Sequence, residues 1–192
     1  LIQTPSLVER AQQGREVGYA IIAVGTIGIL IAIYKLIELA GVARAVKNQA
    51  SSKAADPRNP LGRVLKVGQD NFEKDIDTLE LKLAEAIMAE RPAIERWIGA
   101  VRIISVVAPL AGLLGTVTGM IVTFQMITLY GTGDPKLMAG GISQALVTTV
   151  LGLLVAIPTT LLHSFTASSA RGIISTLEEQ STGILAEHSE AK

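Results

Sequence analysis

The sequence predicts an all-α integral membrane protein with three transmembrane helices. Hydrophobic residues make up 49 % of the 192-residue chain, and they gather in three long runs. Each run is long enough to cross a hydrocarbon core of about 30 Å as a helix. Charged side chains are almost confined to the segments between the runs, a distribution that argues against a water-soluble domain.

The three runs divide the chain into an N-terminal segment, three membrane helices, a long polar segment, a short loop and a tail. In chain order, the predicted segments are residues 1–16, 17–39 (first helix), 40–97 (polar), 98–130 (second helix), 131–139 (loop), 140–165 (third helix) and 166–192 (tail). Eleven Lys and Arg residues lie between Arg44 and Arg102, whereas the short loop carries only Lys136. By the positive-inside rule, the polar segment and the tail are cytoplasmic, and the N-terminus and the loop face the other side of the membrane.

Composition also excludes several classes of function. The chain has 17 basic and 17 acidic residues, so it has no bulk attraction to nucleic acid. It has no Cys, and therefore no disulfide or thiolate site. No nucleophile–base arrangement, phosphate loop or metal-ligand spacing is present, so we expect no enzyme, no cofactor and no metal. The start at Leu1 rather than Met suggests a processed product or a part of a longer protein.

The first membrane helix has two features that predict its surroundings. Gly25 and Gly28 permit close contact with a neighbouring helix. Lys35 follows the uncharged run, and we expect its long side chain to reach outward to the headgroup region.

The polar segment and the tail both carry apolar residues at helical spacing. From Leu61 to Ile87 the pattern predicts one amphipathic helix that docks on other helices. Arg91-Pro92 should end or kink this helix. A similar pattern from Ile173 to Leu185 predicts a helix in the tail.

The second and third membrane helices carry small and hydroxyl-bearing residues on coherent faces. A helix that only had to sit in lipid would fill these positions with Leu and Ile. The candidates for a polar path are Thr116, Thr123, Gln144, Thr148 and Thr149. The candidates for helix packing or clearance are Gly112, Gly115, Gly119 and Gly152, with helix bends at Pro109 and Pro158.

Two interpretations of these faces stay open from residue chemistry alone. The threonines can bond to carbonyls of their own helix while the glycines pack helices together. Alternatively, the two faces line a polar lumen or a groove for a partner. No Asp, Glu, Lys or Arg lies in the central part of any predicted span. An ion path normally needs such a group, so a titrating carboxylate would have to come from another chain.

The motifs APLAGLLGTVTGMIVTF and GGISQALVTTVLGLLVAIP, in this order, resemble the MotA/TolQ/ExbB proton-channel family, and within it the ExbB-like branch. The close resemblance covers about residues 102–164. It implies a homo-pentameric ring in the bacterial inner membrane, with the second and third helices lining a central pore. It also implies an ExbD-like partner whose single membrane helix carries the proton-binding Asp, and a TonB-like protein that delivers the work. The family's pore threonines correspond to Thr116 and Thr149.

One departure from the family pattern concerns Gln144. Familiar ExbB and TolQ members carry a glutamate early in the third helix, where this chain has an amide. Either the role of that glutamate needs only hydrogen bonding here, or another position has taken it over. The resemblance leaves a TolQ-type role in outer-membrane integrity as the nearest alternative. A flagellar stator is less favoured because that branch has four spans. A scaffold of glycine-packed helices without conduction is the alternative from a different class.

Overall fold

The computed structural model describes residues 15–52, 54–131 and 135–191, and every regular element in these ranges is an α-helix. The helices are α1 (Arg15–Ala50), α2 (Pro60–Asp70), α3 (Ile76–Glu95), α4 (Ile98–Tyr130) and α5 (Pro135–Glu190). Three of them contain stretches long and apolar enough to cross a membrane, at Val17–Ala50, Ile98–Leu129 and Met138–Glu190. The predicted all-helical class with three spans is therefore confirmed. Most of the predicted N-terminal segment and the centre of the 131–139 loop lie outside the described residues.

The chain divides into two compact units. The apolar unit contains the described residues of 1–32 and 99–163, and the polar unit contains the described residues of 33–98 and 164–192. Helices α1 and α5 each contribute one part to each unit, because both helices are much longer than a bilayer requires.

The polar unit has its own hydrophobic core. Leu61, Leu79, Leu83 and Leu177 are completely buried there. The core is built from α1, α2, α3 and the last part of α5, as its members show: Leu39, Val46, Leu61, Val64, Leu79, Leu83, Ile94, Ile98, Ala170, Ile173, Ile174 and Leu177. The prediction that the apolar faces of the polar segment and the tail dock on other helices is confirmed.

The single amphipathic helix predicted from Leu61 to Ile87 is wrong, because the structure divides it into α2 and α3. Asn71 caps the end of α2, and its side-chain amide donates to the Val67 carbonyl at 2.7 Å. Asp75 begins the next helix by accepting a hydrogen bond from the Thr78 amide at 2.9 Å. Both residue types favour helix ends, since their short polar side chains bond to the nearby backbone.

Lys35 is also placed differently from the prediction. Its side chain is only 1 % exposed and does not reach outward. Its ammonium donates to Glu38 at 3.1 Å and to the Ala93 carbonyl at 3.0 Å. A buried ammonium needs such partners, because removing it from water without them costs several kcal/mol. That cost is comparable to the whole free energy of unfolding of a typical domain. Lys35 thus ties α1 to the last turn of α3.

The third predicted span and the helical pattern in the tail form one continuous helix. α5 runs for 56 residues, from Pro135 to Glu190, and contains Pro158. α3 likewise includes Pro92 and ends three residues later, at Glu95.

A buried amide network fixes the turn between α1 and α2. Gln49 accepts from the Asp56 amide at 2.9 Å and from the Asn59 side chain at 3.2 Å. Asn59 in turn caps α2 by accepting from the Gly62 amide at 2.8 Å. The turn folds back so tightly that a Cβ atom at Gly62 would overlap the carbonyl oxygen of Asp56.

An ion pair joins α2 to α3. Arg63 donates to both carboxylate oxygens of Glu90, at 2.6 and 2.7 Å. The hydrogen bond that Arg63 donates to Glu90 raises the pKa of Arg63 above its ordinary value.

Gly62→Ala should destabilise the polar unit by about 3 kcal/mol, the upper end of the usual overpacking cost, because backbone atoms of Asp56 cannot yield as a side chain can. Gly172→Ala is the matched control, since no atom of the described residues beyond its own helical turn lies within 4 Å of the added Cβ. At position 172 alanine should raise the stability of the polar unit by up to about 1 kcal/mol, because alanine has a better helix propensity than glycine. Thermal unfolding of the two variants, followed by circular dichroism in detergent, checks the opposite signs. Equal midpoints for both variants would contradict the turn geometry.

Candidate functional site: the α4–α5 seam

Small residues bring α4 and α5 into close contact along a line that we call the α4–α5 seam. Both helices repeat small or hydroxyl-bearing residues in steps of four and three. The seam consists of Ala108, Gly112, Gly115, Gly119 and Thr123 on α4, and of Gly141, Ala145, Thr148 and Gly152 on α5. The order of the contacts is antiparallel, because Ala108 meets Gly152 and Thr123 meets Gly141.

The two backbones approach so closely that a methyl group cannot fit between them. A Cβ atom at Gly152 would lie 2.7 Å from the Ala108 carbonyl oxygen, and one at Gly112 would lie 2.9 Å from the Thr148 carbonyl oxygen. At Gly119 the added atom would meet the Ala145 methyl at 2.8 Å. The structure therefore identifies the helix against which these glycines pack: those of α4 pack on α5, and Gly152 packs on α4. Close approach of this kind is how apolar helices associate in lipid, where the hydrophobic effect does not drive them together.

Threonine hydroxyls converge on one carbonyl in the seam. The hydroxyl oxygens of Thr116, on the same helix, and of Thr148 and Thr149, on α5, each lie 3.2 Å from the Gly112 carbonyl oxygen. The Ala145 carbonyl oxygen lies 2.7 Å from the Thr148 hydroxyl and 3.2 Å from the Thr116 hydroxyl, so each of these two hydroxyls has more than one acceptor for its single hydrogen. The hydroxyls of Thr116 and Thr149 also bond to each other. Glycine at 112 leaves its carbonyl uncovered, so hydroxyls from the facing helix can reach it.

The candidate threonines differ in accessibility. Thr148 and Thr123 are 3 % and 5 % exposed, and each bonds to a carbonyl of its own helix. Their side chains face the seam within this chain. Thr116 and Thr149 are half-buried, and their hydroxyls also bond across the seam.

The other candidate residues lie on the same two helices. Gln144 is half-buried, one residue before Ala145 and one turn before Thr148. Pro109 and Pro158 are half-buried within α4 and α5, respectively. The contacts do not bring these three residues into the hydroxyl cluster.

The glycines of α1 pack within the same chain. A Cβ atom at Gly25 would lie 2.5 Å from the Val155 side chain of α5, and one at Gly28 would lie 2.9 Å from the Ile104 side chain of α4. The predicted close contacts of α1 are therefore confirmed.

Sequence reasoning missed three members of the seam. Ala108, Gly141 and Ala145 contribute backbone atoms or a methyl group. They were not considered as site residues because alanine and glycine carry no reactive group. The signal was present, because the steps of four and three continue through all of them on both helices.

The seam is polar without being charged. The sequence has no Asp, Glu, Lys or Arg between Arg102 and Asp134 or between Lys136 and Arg171. Within the described ranges, no fully buried side-chain nitrogen or oxygen atom lacks a hydrogen-bond partner. The remaining faces of α4 and α5 expose large apolar side chains, including Leu113 and Leu154, to the surroundings. The fold and the seam together define a multi-pass helical membrane protein with an uncharged hydroxyl cluster between two spans.

The sequence pattern of the MotA/TolQ/ExbB proton channel family matches residues 56–179. The chain belongs to this family. A biopolymer transport protein ExbB homologue of Methanothermobacter thermautotrophicus is 31 % identical over 180 residues, covering 83 % of this chain and 62 % of that protein. A biopolymer transport protein ExbB-like 3 of Synechocystis is 43 % identical over 83 residues, covering 42 % of this chain and 40 % of that protein. The biopolymer transport protein ExbB of Aquifex aeolicus is 45 % identical over 64 residues, covering 33 % of this chain and 43 % of that protein. This chain thus spans less than two thirds of each of these relatives.

Gly152→Ala should push the two helices of the seam apart, because the added methyl group would meet the backbone of α4. We expect this to lower the stability of the apolar unit by about 1–3 kcal/mol. Gly140→Ala is the matched control on α5, since no described atom outside its own helical turn lies within 4 Å of the added Cβ. Thermal unfolding in detergent, with the tertiary signal followed separately from helix content, provides the measurement. An unchanged midpoint for Gly152→Ala would show that the backbones are not in contact there.

Proposed function

We propose that this protein is the pore subunit of an ExbB-type motor that couples proton flow across the bacterial inner membrane to work on an outer-membrane transport system. The observation that carries the proposal is the uncharged hydroxyl cluster between two spans, in a chain that belongs to a proton channel family. The ExbB names of the relatives favour this role over a TolQ-type one.

The hydroxyl pair of Thr116 and Thr149 suits a proton pathway. Either oxygen can be the donor in the bond between them, so the direction of that bond can reverse without a change in position. Each hydroxyl has one hydrogen and two lone pairs, so each oxygen keeps capacity for an approaching water or acid group. Such a pair can accept a hydrogen bond from a protonated carboxyl and can pass hydrogen bonds along water.

The charge that moves with the proton must come from a partner. Neither threonine titrates at physiological pH, and Gln144 stands where an ionisable residue would be expected. We assign the proton-carrying group to the Asp of an ExbD-like protein whose single membrane helix enters a ring of this subunit. A pentameric ring, lined by α4 and α5, would surround that helix and present Thr116 and Thr149 to its carboxyl group. A TonB-like protein would receive the resulting motion.

The topology follows the distribution of charge. We place the polar unit, which holds most of the Lys and Arg residues, in the cytoplasm, and residues 131–139 in the periplasm. The parts of α1 and α5 that belong to the polar unit would then be cytoplasmic.

Thr149→Val tests the proposal, because valine keeps the volume and removes the hydroxyl. A hydrogen bond to an ionised or ionising group contributes about 1.5 kcal/mol or more, so proton flux should fall at least about tenfold. Flux is measured in liposomes that contain this protein and the ExbD-like protein of its own genome, and native mass spectrometry checks assembly.

Thr118→Val is the matched control on α4. Thr118 is exposed, and within the described part of the chain its hydroxyl bonds only to the Leu114 and Gly115 carbonyls of its own helix. Its loss should therefore leave the flux unchanged. Wild-type flux in Thr149→Val would refute the role of the hydroxyl pair. Equal losses in both variants would refute it as well.

A further inference from the structure

The chain makes a sharp corner between α3 and α4. Trp97 adopts a φ of 68°, in the left-handed region that bulky residues rarely enter. Only Arg96 and Trp97 separate the end of α3 at Glu95 from the start of α4 at Ile98. Such backbone strain persists only where the surrounding structure determines it.

Buried neighbours hold this corner in place. Ile94 and Ile98 are 4 % and 8 % exposed and belong to the core of the polar unit on either side of the corner. Lys35 adds a hydrogen bond to the Ala93 carbonyl just before it. The chain between these fixed points has to turn outward, so Arg96 and Trp97 project from the unit.

The projecting pair combines a cation with an aromatic ring. Trp97 is 48 % exposed, and the Arg96 guanidinium lies 5.6 Å from the centre of its ring. The nearest acid in sequence, Glu95, is engaged with Arg91 at 3.4 Å. Among the ion pairs of the described residues, none includes Arg96. The guanidinium therefore stacks on an apolar ring while its charge remains available to an anion.

We infer that Arg96 and Trp97 form an interaction surface for the anionic headgroups of the bilayer. The corner lies where the charged sequence ends and the apolar helix α4 begins, which is the position of the membrane interface along the chain. Trp favours this interface because its ring is apolar and its N–H is polar. The adjacent guanidinium can bind a lipid phosphate with two hydrogen bonds. The partner is thus an anionic phospholipid, held at a fixed corner of the polar unit.

Trp97 is the only tryptophan in the chain, so its fluorescence reports directly on the proposed surface. The protein is placed in two series of phosphatidylcholine vesicles, one with increasing fractions of brominated phosphatidylglycerol and the other with increasing fractions of brominated phosphatidylcholine. One basic residue near an anionic surface enriches anionic lipid roughly fivefold. Brominated phosphatidylglycerol should therefore quench Trp97 at a roughly fivefold lower fraction than brominated phosphatidylcholine. Equal quenching by the two lipids would overturn the inference.

Three variants separate the charge of Arg96 from the fold. Arg96→Gln should abolish the preference, and Arg96→Lys should keep most of it. Arg58→Gln is the control, because the Arg58 side chain is 91 % exposed and far from α4 in the sequence. A preference retained in Arg96→Gln, or lost in Arg58→Gln, would contradict a specific surface at the corner.

Inorganic phosphate distinguishes a lipid headgroup from a free anion. At matched ionic strength, it should leave the quenching by brominated phosphatidylglycerol unchanged. Competition by phosphate beyond that of chloride would overturn the assignment to lipid. None of these measurements depends on proton flux, so the result stands apart from the proposed motor function.

Discussion

The close approach of α4 and α5 is the contact on which the rest of the apolar unit depends. At Gly112 and Gly152 the two backbones lie too near each other for any side chain larger than hydrogen. This proximity exposes the Gly112 carbonyl to hydroxyls from the facing helix, which makes the seam polar without a charge. The same constraint explains why an apolar run of the sequence contains glycine and threonine where Leu and Ile would suffice for lipid alone.

The sequence predicted most of the residues of the seam, but not whether each side chain faces the neighbouring helix or the outside of the helix pair. Spacing placed the glycines of α4 on one face, and the family resemblance pointed to Thr116 and Thr149. Spacing left open whether the threonines face their own chain or a lumen, because both arrangements use the same helical period. In the structure Thr123 and Thr148 are buried, whereas Thr116 and Thr149 are half-buried.

The errors in the polar unit have a common physical origin. Periodicity reports which residues share a helical face, but it is insensitive to where a helix stops. The break between α2 and α3 depends on side chains of Asn71 and Asp75 bonding to nearby backbone. The burial of Lys35 depends on the Ala93 carbonyl, 58 residues away in the sequence. A local sequence pattern cannot predict a partner that is so distant along the chain. For a lysine that follows an apolar run, the pattern instead predicts an ammonium group exposed near the lipid headgroups.

The central claim is that this chain supplies an uncharged path and another chain supplies the proton-carrying carboxylate. Proton flux into liposomes tests it most directly, with this protein alone, with the ExbD-like protein, and with that partner after its membrane Asp is changed to Asn. The account predicts flux only in the second preparation. Substantial flux through this protein alone, or undiminished flux with the Asn-bearing partner, would contradict it.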